Sequence, residues 1–172
     1  MKVVGKVMKF GDNVSTTIMA PFEQMTTGDY TIEALKKLTM TAIRPNFLQE
    51  VKPGMVIVAG RNWGFGSHRE PANTIFKSLG IQAIVADSVS RIYFRNSVAI
   101  GMPILSCKGV SALLDEGAMV EIDFSLGTIR NQTSGKELKT SPLPDRMLDI
   151  IRKGGILAVL KEEMKRTQQI ST

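Results

Sequence analysis

The spacing of apolar and polar positions changes several times along the chain. Residues 3–10 alternate loosely and predict a first strand, closed by the turn signal Gly11-Asp12-Asn13. Residues 14–20, rich in Ser, Thr and Ile, predict an extended segment ending at Pro21, and 22–30 reads as a loop. Thr31 opens helical spacing over 31–38. Pro53-Gly54 marks a turn, and the apolar run Met55-Val56-Ile57-Val58-Ala59 predicts a buried strand. A helix over 71–79, ending at Gly80, follows. The unit then repeats as a strand over 81–86, an Asp87-Ser88 cap and a helix over 89–100. Gly101 closes that helix, a short strand covers 103–106 and a short helix 110–114. Residues 118–124 and 127–131 alternate with period two about Ser125-Leu126-Gly127, which predicts a hairpin. Helices over 145–153 and 156–166 are separated by Gly154-Gly155, and the polar end from 168 frays.

These elements predict a mixed α/β chain with a parallel βαβ core and a β-hairpin. No repeat or linker interrupts it, so a single domain over 1–172 is expected. A doubly wound dinucleotide-binding sheet shares such units but needs its glycine-rich turn near the first strand. Composition adds little: 43% hydrophobic and 22% charged residues are ordinary for a globular protein. No apolar run approaches ~20 residues, which argues against a membrane span. The first residues lack a signal-peptide core. Cys107 is the only cysteine, so no disulfide framework or four-thiolate metal site is expected within this chain. Together these features predict a cytoplasmic protein. The net charge of +6 admits acidic ligands or nucleic acid. Its densest stretches, Lys36-Lys37 and 161–166, fall on predicted helices, the second interleaved with Glu162 and Glu163, and read as solvated faces.

The chemistry concentrates in residues 60–70, Gly-Arg-Asn-Trp-Gly-Phe-Gly-Ser-His-Arg-Glu, between a strand and a helix. Such a turn leaves backbone N–H groups facing outward, which favours an anion. Gly64-Phe65-Gly66 lacks the third glycine of a dinucleotide fingerprint, and no Gly-Lys-Ser/Thr follows for a P-loop. Ser67 is followed by His68, so the hydrolase pattern Gly-x-Ser-x-Gly is absent. His68 is the sole histidine, which argues against a metal site built by this chain alone. A hydroxyl, N–H donors and the Arg69 fork remain, a set suited to a carboxylate. The competing reading is a capping box, Ser67-His68-Arg69-Glu70. Pro71 counts against it. A proline belongs at the first helical position, with Glu70 as the cap, which leaves Ser67 in the loop.

Residues 60–70, then Ser88-Val89-Ser90-Arg91-Ile92-Tyr93-Phe94-Arg95-Asn96, then Gly101-Met102-Pro103-Ile104, resemble the small subunit of 3-isopropylmalate dehydratase. Gly11-Asp12-Asn13-Val14-Ser15-Thr16-Thr17 is similar to the family's opening motif, and Glu121-Ile122-Asp123 through Thr133-Ser134-Gly135, with Gly154-Gly155, to its closing segment. The resemblance runs along nearly the whole chain. It implies an aconitase-like swivelling β/β/α domain that works with a large subunit carrying a [4Fe–4S] cluster on three cysteines. The implied reaction is hydro-lyase chemistry on a small hydroxy acid. The cluster binds the substrate hydroxyl as a Lewis acid, and a small-subunit serine removes the neighbouring C–H proton. By resemblance Ser67 is that catalytic base and Arg69 binds a substrate carboxylate.

The chain departs from the family pattern at the site. Ser15-Thr16-Thr17 stands where Asp-Thr-Asp is usual, so Thr17 replaces a carboxylate. His68 replaces a second serine and Pro71 a histidine. Residues 21–30 contain no arginine or lysine, where the family often has Tyr-Leu-Arg. Thr17 and His68 therefore join Ser67 and Arg69 as candidate substrate-facing residues. Three readings follow: a hydro-lyase subunit for a different hydroxy acid, a divergent isopropylmalate dehydratase subunit, or a non-catalytic binding or regulatory protein on the same fold. An RNA-binding protein belongs to the third, although aromatic residues at 6% give it a poor stacking platform. Arg91 and Arg95, four apart on one helix face, are expected to pair with carboxylates or sit near the partner. Trp63 and Phe65 are expected under the turn or at the subunit seam.

Overall fold

The computed structural model describes residues 1–24, 31–67 and 69–170, with side chains at 24 and 168–170 left out. Strand β1 (Lys2–Lys9) organises the sheet by pairing differently along its two halves. Lys2 to Lys6 run antiparallel to β5 (Met119–Asp123), whereas Val7 to Lys9 run parallel to β2 (Val56–Ala59). Beyond β2 lie β3 (Ala83–Ala86) and β4 (Ile104–Ser106), both parallel. Beyond β5 lie β6 (Thr128–Asn131) and β7 (Glu137–Lys139), both antiparallel. The order across the seven strands is β4-β3-β2-β1-β5-β6-β7. Gly5 sits near the change of partner, and a Cβ there would meet the Gly54 carbonyl oxygen at 2.4 Å. Only a residue without a side chain lets the two halves meet so closely.

Every residue of β2 and β3 is buried. That burial explains their unbroken apolar runs, since a parallel sheet is covered on both faces. The crossover helices are α4 (Pro71–Ser78) and α5 (Arg91–Ala99). Shorter helices are α1 (Thr16–Met19), α2 (Ile32–Lys36), α3 (Phe47–Glu50) and α6 (Val110–Leu113). The chain continues through α7 (Asp145–Arg152) and α8 (Ile156–Ile170). Trp63 is fully buried in an aromatic cluster, 5.8 Å from Phe10, 5.9 Å from Phe76 and 6.3 Å edge-on from Tyr93 between ring centroids. Such offset and T-shaped pairs add to area burial.

Three expectations change. Residues 14–20 are not extended: Ser15 caps α1 by accepting from the Ile18 N–H at 3.3 Å, and Thr16 and Met19 turn inward. The β-branched composition is overridden because the capping hydroxyl and the buried face favour a helical turn. The second crossover helix starts at Arg91 behind Ser90, not behind Asp87-Ser88. Val89 is held extended by a bridge to Trp63, so the chain cannot yet coil. Asp87 instead accepts from Gly109 N–H, Ser111 N–H and the Ser111 hydroxyl at 2.9, 3.1 and 2.6 Å, fixing the start of α6. Finally, α3 and β7 appear where no element was expected; they are only four and three residues long, too short for a periodic signal.

Candidate active-site rim

The loops that follow β1, β2 and β3 meet at the carboxyl ends of the parallel strands, where open α/β sheets bind ligands. Ion pairing and hydrogen bonds tie them together. Arg61 bonds Asp12 through its backbone N–H at 2.7 Å and its guanidinium at 2.8 and 3.0 Å. Hydrogen bonds from the Arg61 backbone N–H and then from its guanidinium hold the Asp12 carboxyl below its ordinary range. Asn62 and Asn13, both at positive φ, are joined by a side-chain bond of 2.8 Å. The Trp63 N–H donates to the Ser88 carbonyl, and the Ser90 N–H donates to the Trp63 carbonyl. The 60–67 loop is thereby held on both sides with its buried indole as the anchor. Gly64 lies against Tyr93, where a Cβ would meet the ring at 2.2 Å.

Ser67 emerges from this frame exposed. Its carbonyl accepts from the Thr16 hydroxyl at 2.8 Å, which joins the loop to α1. Thr17, next to Thr16, is also exposed. The structure thus brings the two predicted hydroxyl-bearing segments to one rim. Among the described residues, neither the Ser67 hydroxyl nor the N–H groups of Gly66 and Ser67 have a partner. The capping box does not form. Pro71 is the first residue of α4 and Glu70 precedes it, as the proline argument requires, but Glu70 makes no cap bond and instead accepts from Thr74 at 2.6 Å. The anion donors also lie elsewhere than the helix start. The N–H groups of Ala72, Asn73 and Thr74 already donate to the Arg69 and Glu70 carbonyls, so the free donors are in the loop. His68 lies outside the described residues.

Arg69 is the least exposed of the predicted ligands among the described residues, with 15% of its side chain accessible. Its Nη1 donates to the Ala20 carbonyl at 3.0 Å and to Glu23 at 3.2 Å, and its Nη2 donates to the other Glu23 oxygen. The guanidinium lies over the Phe22 ring at 5.4 Å, and its buried Nε is unpaired among the described residues. The Arg69 hydrogen bonds hold the Glu23 carboxyl below its ordinary range. Arg69 therefore already grips a carboxylate with two prongs, and Glu23 supplies it. Sequence reasoning saw no cation in residues 21–30 but missed Glu23, since an acid in a loop carries no signal of its distant partner.

Next to this rim a cleft of about 520 Å³ is lined by Phe65, Gly66, Ser90, Arg91, Ile92 and Arg95. Trp63 packs under the turn as expected, whereas Phe65 is 43% exposed. A cluster held by three cysteines does not fit this chain. Among the described residues no group of three or more His, Cys, Asp or Glu side chains converges. The single Cys107 thiol is buried, and burial with the nearby Asp87 charge pushes its pKa up.

A sequence profile for the aconitase C-terminal domain matches residues 22–108. The isopropylmalate/citramalate isomerase small subunit of Methanocaldococcus jannaschii is 40% identical over 167 residues, covering 96% of this chain and 98% of that protein. The 3-isopropylmalate dehydratase small subunit of Clostridioides difficile is 41% identical over 157 residues, covering 91% and 95%. A crystal structure of 3-isopropylmalate dehydratase from Methanocaldococcus jannaschii superposes with a TM-score of 0.87 at 33% identity, covering all of both chains. This near-complete likeness in sequence and structure shows that the chain belongs to the family of 3-isopropylmalate dehydratase small subunits, built on the aconitase C-terminal domain.

Proposed function

We propose that this chain is the small subunit of a heteromeric hydro-lyase that dehydrates and rehydrates a hydroxy di-acid in the cytoplasm. Its partner is a large subunit that carries a [4Fe–4S] cluster. The observation that supports the reading best is Ser67, exposed on a rigid loop with its hydroxyl and two neighbouring N–H groups unengaged among the described residues. Ser67 takes the C–H proton beside the leaving hydroxyl. Arg69 receives a substrate carboxylate once Glu23 yields the fork. Thr17 and His68 serve as hydrogen-bond donors to the remaining substrate oxygens.

The serine cannot reach its reactive form with this chain's groups alone. A helix terminus contributes up to about 2 kcal/mol, equal to roughly 1.5 pKa units. The first-turn N–H groups of α4 are already used within the chain. The further stabilisation must come from closing the rim against the partner, where exclusion of water strengthens every charge interaction. The test is to assay the chain with its large subunit, on 3-isopropylmalate, citramalate and related hydroxy di-acids. Turnover is expected only with both chains, and Ser67→Ala abolishes it while the complex still forms. An active pair with Ser67→Ala removes the serine from the base role. An inactive wild-type pair across the panel overturns the hydro-lyase reading.

A further inference from the structure

The cleft beside Ser67 carries two cations that no carboxylate answers among the described residues. Arg44, Arg61, Arg69, Arg146 and Arg166 each meet a carboxylate within 4 Å. Arg91 and Arg95, like Arg130 and Arg152, meet none among the described residues, and they lie four apart on α5 with both side chains exposed. Their charges flank Ile92, which is 54% exposed, and face Phe65, which is 43% exposed. An isolated chain gains nothing from holding two like charges beside two bare apolar groups. Arginines and aromatic or aliphatic side chains at one spot do match the centre of a protein interface, where they recur as the residues that carry the binding energy.

We infer that this face of α5, with Phe65 across the cleft, is where the large subunit docks, through carboxylates of that subunit that pair with Arg91 and Arg95. The inference rests on the heteromeric reading above. Gly66 lines the cleft and precedes Ser67, so a subunit seated there closes over the serine rim. The apolar pair Phe65 and Ile92 is then shielded from water, and the two guanidinium groups fix the register of docking as planar two-pronged donors. The position also explains why the pair stays unmatched among the described residues: its partners lie on another chain.

The experiment measures the dissociation constant of the purified full-length chain and its large subunit, by calorimetry and sedimentation, over a range of salt. The double variant Arg91→Glu/Arg95→Glu is expected to weaken assembly by roughly 100-fold or more. The wild-type dissociation constant rises with salt, and the double variant loses that dependence. Ile92→Asp is expected to weaken assembly at least tenfold. Arg152→Glu on α7, equally exposed and unmatched among the described residues, keeps wild-type affinity. Thermal unfolding of each variant alone shows that the fold is intact. Wild-type affinity in the double variant overturns the docking face, as does a raised KM with unchanged assembly, which assigns the arginines to substrate. Equal loss with Arg152→Glu also overturns it, because the attraction is then diffuse. A wild-type pair that assembles but turns over no acid leaves the docking face standing and sinks only the catalytic reading.

Discussion

The two-pronged grip of Arg69 on Glu23 is the same contact that a substrate carboxylate would need, and the role proposed for Arg69 is tested there. Arg69→Lys keeps the charge and loses the fork. KM for the acid should rise about tenfold, the equivalent of about 1.4 kcal/mol, with assembly unchanged; an unaltered KM assigns Arg69 to the fold. Glu23→Gln removes the competing carboxylate, and KM should fall several-fold in steady-state assays. A raised KM instead makes Glu23 the group that positions the guanidinium. At this scale the sequence was informative about Ser67. Pro71 alone excluded it from the helix cap, since a ring without an N–H belongs at the first helical position. It was silent about Glu23, 46 positions from its partner.

The elements that carry the rim are held by small contacts at their ends. Ser90 caps α5 by accepting from Tyr93 N–H at 3.4 Å and also donates to the Gly64 carbonyl. Ser90→Ala should cost about 1 kcal/mol in urea unfolding, typical of a lost cap. Gly64→Ala should cost more, about 1–3 kcal/mol from overpacking, because Gly64 has φ of +71° and its Cβ would enter the Tyr93 ring. Equal stability in both variants would show that the loop relaxes freely. Periodicity located β2, β3, α4 and the β5–β6 hairpin, whose burial patterns are strong. It misplaced α1, where a Ser cap and two inward residues outweigh the extended preference of Ser, Thr and Ile.

Across the whole molecule, Glu116 clamps segments far apart in sequence. It accepts from the Lys9 N–H at 2.6 Å and from Arg44 at 2.9 Å, and Arg44 also meets Glu50 and lies 5.7 Å from the Phe10 ring centroid. Partial burial opposes its ionisation, but Arg44 and the Lys9 N–H outweigh this and hold the carboxyl below its ordinary value. A lowered folded pKa means stability that is present above the unfolded value, about 4.3, and lost as pH falls through the folded one. Glu116→Gln should therefore lower Tm at pH 7 and converge with the wild type in acid, by no more than about 1 kcal/mol for so exposed a group. A constant difference across pH would place the effect in packing.

The sequence by itself determined the parallel βαβ core, the hairpin, the place of the glycine-rich loop and the family, because each is written in local period, punctuation or contiguous motif. Only the tertiary structure decided that β1 divides its two halves between opposite neighbours. It also joined the Thr16 hydroxyl to the Ser67 carbonyl, set Glu23 in the Arg69 fork and left Arg91 and Arg95, among the described residues, unmatched beside the rim. Those outcomes depend on side chains tens of residues apart meeting at the ends of strands, and such meetings leave no periodic trace along the chain.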